Sequence, residues 1–202
     1  MQERRPSDKW EWYFLMQHYG SPTRLLDWSD AALVALYFAV ESRGGEGDKY
    51  SGADAVVYML DPWWLNEQAF ADCRKTEQYR AGGTAFCDWG AAQTYLPDEK
   101  DPLKTLDVTC PMAIDPSHFS RRIAAQRSRF TIFGKEPDKL KDLANANQCQ
   151  NCKIAKFDVQ WKAIPEIKYA LKLMGISEST IFPDLEGLGR ELNYWFDDNC
   201  RP

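Results

Sequence analysis

Gln17-His18-Tyr19-Gly20-Ser21-Pro22-Thr23-Arg24-Leu25-Leu26-Asp27-Trp28 leads through Ser29 and Asp30 into Ala31-Ala32-Leu33-Val34-Ala35-Leu36-Tyr37-Phe38-Ala39-Val40. Gly20 and Pro22 stop the apolar helix predicted for Trp10 to Tyr19. Thr23 to Trp28 then predicts a short extended segment. Ser29 is the expected N-cap of the next helix, with Asp30 favouring its positive end. That helix sets Leu33, Leu36 and Val40 on one stripe, flanked by Val34, Tyr37 and Phe38, and ends near Ser42 before Gly44-Gly45. A helix apolar over so wide an arc packs on more than one side.

The same stretch holds an imidazole, a guanidinium, a carboxylate and hydroxyls between apolar elements. A buried polar group left unsatisfied costs roughly 1–3 kcal/mol, so these groups must be paired. Two readings stand for Arg24 and Asp27. They form a structural ion pair pinning the turn, or Arg24 presents its fork to a phosphate or carboxylate while Asp27 orients it. His18, beside Tyr19, is either a packing residue or a catalyst. A nucleophile elbow of the Gly-x-Ser-x-Gly kind is absent, which sets serine hydrolases aside.

Working outward, Ala53 to Leu60 reads as a strand ended by Asp61-Pro62. Trp63 to Pro102 has weak periodicity, with Gly82-Gly83, Asp88 and Pro97 to Pro102 predicting a loop-rich insertion over 63–102. Arg129 to Phe133 predicts a strand closed by Gly134, Lys139 to Leu143 a helix fragment, and Lys153 to Val159 a strand. Pro165 to Met174 fits a helix with proline at its first position and Gly175 beyond its end. Leu185 to Phe196 fits a final helix. The sum is an α+β fold, a single mixed domain over 1–202 in which short strands pack with helices.

Size and composition agree. A chain of 202 residues buries enough surface to fold without a disulfide or metal staple. Hydrophobic residues at 44% and charged residues at 27% exclude a largely disordered chain. The net charge of −5 argues against sequence-independent nucleic-acid binding. The polar start is no secretory signal, and the longest apolar run, Ala31 to Val40, is too short to span a bilayer. A soluble, cytoplasmic protein with no membrane partner is the expectation.

Two other clusters invite chemistry. Ser120 to Phe130 holds Arg121, Arg122, Arg127 and Arg129, which either grip an anion such as a pyrophosphate or form a solvated basic face. Cys149-Gln150-Asn151-Cys152 lacks a second pair for zinc, so reduced, unliganded thiols are expected. Walker-type and Rossmann glycine loops are absent. No metal is implied, and no cofactor follows from the residues themselves.

The run from Trp12 to Glu41 resembles the bacterial FRG domain family, whose Gln-His-Tyr-Gly-x-Pro-Thr-Arg-Leu-Leu-Asp-Trp stretch leads into an Ala-Leu-Tyr-Phe-Ala helix. Arg122-Ile123-Ala124-Ala125-Gln126 with Phe130-Thr131-Ile132, and Gly175 to Leu188, are similar to two later blocks of that family. The Phe/Tyr-Arg-Gly triplet expected upstream of Gln17 does not occur here, so the domain reads as N-terminally incomplete relative to the family. The family is in turn similar to ADP-ribosyltransferase folds, which implies NAD as substrate and a role in bacterial stress or phage defence. The resemblance implies Asp27, His18 and Gln126 as catalytic residues and Arg24, Thr23, Tyr19 and Arg122 as binding residues. Asp27 would stabilise the ribose cation, Arg24 would hold the pyrophosphate, and Gln126 would bond a ribose hydroxyl. The competing expectation is a non-catalytic module recognising a nucleotide or a protein target. A nuclease stands well behind, for want of a metal-binding carboxylate cluster or paired histidines.

Overall fold

The computed structural model describes residues 5–43, 52–72, 95–96, 108–116, 120–146 and 153–200. Helix α1 (Lys9–His18) begins at Asp8, whose side chain accepts from the Glu11 amide at 2.9 Å, while Glu11 reaches back to Ser7 N at 2.7 Å. Its Trp10 and Phe14 are buried, and Phe14 stacks on Phe130 with ring centroids 4.9 Å apart. Strand β1 (Leu25–Ser29) follows, then α2 (Ala32–Val40), β2 (Ala55–Leu60) and α3 (Pro62–Asp72).

After them come β3 (Met112–Ile114), α4 (Arg121–Ala125), β4 (Ser128–Ile132), α5 (Lys139–Ala146) and β5 (Ile154–Val159). A turn of 3-10 helix at Trp161–Ala163 enters α6 (Ile164–Leu173), and α7 (Glu178–Ile181) and α8 (Leu185–Cys200) complete the order.

The strands form two antiparallel sheets: β1, β4 and β3 with β4 central, and a β2–β5 pair. Each sheet has its own core. Trp10, Phe14, Leu25, Phe130 and Ile132 anchor the first, where α1 covers the sheet. Val34, Tyr37, Val40, Ile164 and Leu171 anchor the second, where α2 and α6 meet. The α+β reading therefore stands.

Several elements differ from the sequence expectation. Ser29 closes β1 instead of capping α2: its hydroxyl donates to the Gln126 carbonyl at 2.8 Å, and Ala31 takes the N-cap position without a side-chain bond. The buried stripe of α2 is Val34, Tyr37 and Val40, whereas Leu33 is exposed. The two cores pull from directions that a single-helix pattern does not encode. Pro62–Asp72 is helical where a loop is expected, because Asp61 accepts from the Trp63 and Trp64 amides and Pro62 suits a first turn. Asp61 also bonds Lys153 Nζ at 2.7 Å, which with the Trp64 amide holds its carboxyl below the usual range. Apart from residues 95 and 96, the remainder of 73–102 lies outside the described residues, as does the Cys149–Cys152 pair. Cys110 is buried.

The arginines of 121–129 do not share one face. Arg121 is exposed, Arg127 and Arg129 pair with Asp30 at 2.5 and 2.8 Å, and Arg129 also meets Asp115. Arg122 turns the other way, into a cleft.

Candidate functional site

That cleft opens between the two sheets. Its walls are β1 from Leu26 to Ser29, the Ala35–Phe38–Ala39 face of α2, and β2 from Val56 to Tyr58. Gln17 and His18 from the end of α1, Arg122 and Gln126 from α4, Ser128 and Phe182 complete the lining. The volume is about 580 Å³, inside the range of roughly 300–1,000 Å³ typical of small-molecule sites.

Asp27 sits on the cleft side of β1. Gln17 Nε2 donates to its Oδ2 at 2.8 Å, and the Thr23 hydroxyl donates to Gln17 Oε1, which fixes the amide's orientation. Solvent reaches the carboxylate through the mouth of the cleft, yet protein crowds it enough that desolvation pushes its carboxyl up. The Gln17 bond and the nearby His18 oppose that shift. His18 meets Tyr19 edge-on with centroids 5.3 Å apart.

On the other wall, Arg122 Cζ lies 4.7 Å above the Phe182 ring and Arg190 lies at the same distance from it. Arg122 Nη2 approaches Asp184 Oδ2 at 3.3 Å, while its Nε is buried without a hydrogen-bond partner. Asp184 caps α8 by accepting from the Gly187 amide at 2.8 Å, the main reason its carboxyl is lowered, with Arg122 adding to the effect. Gly187 has a second duty: a Cβ there would stand 2.1 Å from the Phe182 carbonyl oxygen. Only glycine lets α8 start close enough to hold Phe182 at the cleft.

Of the residues singled out from sequence, His18, Asp27, Arg122 and Gln126 share this cleft. Arg24, Thr23 and Tyr19 do not line it. The Arg24 guanidinium donates to the Phe133 carbonyl at 2.6 Å and to the Tyr95 carbonyl. Neither reading of an Arg24–Asp27 unit matches this placement. The Phe133 amide bonds the Arg24 carbonyl, so the strand already runs through residue 24, and positions three apart on a strand face opposite ways. Thr23 acts behind the cleft through Gln17, and Tyr19 is 73% exposed outside it. Sequence reasoning did not single out Gln17, Phe38 or Phe182. The last was readable in part, since Phe182-Pro183-Asp184 before Gly187 carries a cap signal.

The geometry defines an α+β domain with a cleft between two small sheets. Residues 1–47 match the family model of the FRG domain. That match spans α1, β1 and α2, which supply Gln17, His18, Asp27 and Phe38 to the cleft. No curated protein and no solved structure matches the chain. Among the described residues, no helix is long and apolar enough to cross a membrane, and no group of three metal-binding side chains occurs.

Proposed function

We propose that the cleft handles NAD and breaks its nicotinamide–ribose bond in the manner of an ADP-ribosyltransferase, as part of bacterial stress or phage defence. The observation that carries this reading is the convergence of His18, Asp27, Arg122 and Gln126, from separate stretches, on one cleft. Cleaving that bond places positive charge on the ribose, and a carboxylate fixed in advance stabilises it. Asp27, held by Gln17, meets that requirement. Arg122 offers a guanidinium to the pyrophosphate, taking the part that the resemblance implied for Arg24, and Gln126 offers an amide to a ribose hydroxyl. Trp28 and Phe38 give flat apolar surface for the rings. The order of β1, α2 and Gln126 follows the order expected of such folds. Because the ionised carboxylate is the working form, turnover rises with pH through the raised pKa of Asp27.

The test is an NAD titration by ligand-detected NMR, followed for free nicotinamide. Saturable binding weakened in a folded Arg122→Ala protein is expected, with nicotinamide release reduced about 100-fold or more in Asp27→Asn. Full turnover in Asp27→Asn removes the reading. A second reading, a non-catalytic recognition module, draws support from Gln126, an uncharged amide that cannot give the developing ribose cation the stabilisation a glutamate would. Binding without nicotinamide release selects it.

A further inference from the structure

The two sheets have four outer strand edges, and the protein treats them unequally. An antiparallel ladder turns the amide groups of alternate residues toward its partner and those of the others away. In β1, the flanking bonds Phe133 N to Arg24 O and Asp30 N to Arg127 O set the even residues against β4. The N–H and C=O of Asp27 and Ser29 therefore point to the free edge. In β2, the bond from Asp61 N to Lys153 O sets the odd residues against β5, so Val56 and Tyr58 point to the free edge.

The outward groups of the other two edges are guarded. On β3, Ala113 is closed by Asn66, whose amide donates to Ala113 O at 3.0 Å and whose Oδ1 accepts from Ala113 N at 2.7 Å. On β5, the outward positions 156 and 158 carry Lys156 and Asp158, paired at 2.6 Å, a charged edge of the kind that discourages strand addition. The β2 edge has neither protection, and on β1 the charge at the outward position 27 is turned to Gln17, whose Nε2 donates to Asp27 Oδ2 at 2.8 Å. Among the described residues, no backbone–backbone hydrogen bond outside the ladders engages the outward groups of Asp27, Ser29, Val56 or Tyr58, and the Asp27 N–H meets only its own carboxylate. Both edges look into one cleft: each strand lines it with consecutive residues, 26–29 and 56–58, which a single strand face cannot do.

We propose that the cleft takes an extended polypeptide, which adds as a strand to the free edge of β1 alongside Asp27, with the β2 edge opposite. An extended chain presents alternating donors and acceptors, the complement of such an edge, and lays alternate side chains into flanking pockets. Leu26 and Val57 provide apolar walls for those side chains, clear of the Trp28 and Phe38 surfaces assigned to the NAD rings. A nucleic acid fits less well, since Asp27 stands in the lining and the chain carries a net charge of −5. The inference deepens the reading above by naming the acceptor as a protein segment, and rests on that reading only for the transfer itself.

The test needs no NAD, so its failure is separate from failure of nicotinamide release. In the free protein, hydrogen exchange should be fast at the amides of Asp27, Ser29, Val56 and Tyr58 and slow at Leu26, Trp28, Val57 and Met59. A phage-displayed library of random linear peptides is then panned on the full chain. A selected peptide should slow exchange at Asp27 and Ser29 by about tenfold or more. Its affinity should fall about tenfold in Tyr58→Pro, which removes an outward N–H without touching the β2–β5 ladder. A folded ladder in that variant is checked by unchanged protection at Val57 and Met59; if it is lost, Val56→Pro is read in its place. Protection of the four edge amides in the free protein overturns the inference. So does a library yielding no binder, or a bound peptide that leaves Asp27 and Ser29 exchanging at the free rate.

Discussion

Asp27 is a carboxylate kept in a place that disfavours its charge. Desolvation raises its pKa above the ordinary 3.8, and the bond from Gln17 recovers only part of the difference. The native state thus holds its proton more tightly than the unfolded chain. Between the ordinary value and the raised one the unfolded state binds fewer protons, so stability falls as pH rises across that window. Above the window the penalty is complete and constant. Asparagine carries no such penalty and can still accept from Gln17 Nε2. Asp27→Asn is therefore expected to melt at a higher temperature than the parent protein at neutral pH. The gain should shrink as pH falls through that window and be gone below the ordinary value. Calorimetric melting of both proteins between about pH 3 and pH 8 measures this, and a gain independent of pH would show that Asp27 has an ordinary pKa. A site residue whose removal stabilises the fold is the usual trade between stability and function.

Two elements depend on single residues that pattern reading passes over. Asn66 lies on α3 but behaves as a piece of strand, filling both hydrogen-bonding positions of Ala113 on the outer edge of β3. Both residues are buried, so Asn66→Ala leaves a donor and an acceptor without water or partner. The expected loss is about 2–4 kcal/mol, read as a drop in chemical-denaturation midpoint at constant slope. A loss under about 0.5 kcal/mol would mean that solvent reaches the edge.

The end of α4 is the second case. Arg127 stands beyond the C-cap Gln126 at φ 49°, a left-handed conformation where glycine is usual. An ordinary residue there costs roughly 1–2 kcal/mol. Arg127→Gly relieves that strain but gives up the exposed Asp30 pair, worth roughly 0–1 kcal/mol, and adds about 0.5–1 kcal/mol of unfolded-chain entropy. These effects nearly cancel, so the glycine variant should match the parent within about 1 kcal/mol, whereas Arg127→Val should lose more. Equal stability of the glycine and valine variants would remove the conformational argument.

The elements themselves were mostly legible. β-branched and aromatic runs marked β2 and β4, and Gly20 and Gly175, both at positive φ, marked two helix ends. What the pattern missed was long-range. Ala113 lies 47 positions from Asn66, and the Gln126 carbonyl that draws Ser29 away from capping lies 97 positions from it. Asp61-Pro62 reads as a stop for the strand before it and is equally a start for the helix after it.

Among the described residues, two hydrophobic cores lie on either side of a cleft. Ser29 on the Gln126 carbonyl, with Asp30 on Arg127 and Arg129, braces the end of β1 against α4 and β4 just before the chain enters α2. A tie between the cores is Phe182, sandwiched between Arg122 and Arg190 and set edge-on against Phe38 at 6.1 Å. Phe182 packs with the second core, yet Arg122 reaches it from α4, which is joined to the first through buried Ile123. That half of the site was visible in the sequence as separate blocks at 122–126 and 175–188, but only the fold shows that they meet. Truncating a half-buried phenylalanine costs roughly half of the 3–5 kcal/mol of a core site, so Phe182→Ala should lose about 2 kcal/mol. The loss should be uneven. Native-state hydrogen exchange is expected to speed up at Val40 and Leu171 in the second core, while Phe130 and Ile132 in the first keep the parent protection, because removing Phe182 loosens one core without disturbing the Phe14–Phe130 stack. Equal acceleration in both would show that the cores unfold as one unit and that the cleft is a crease in a single core.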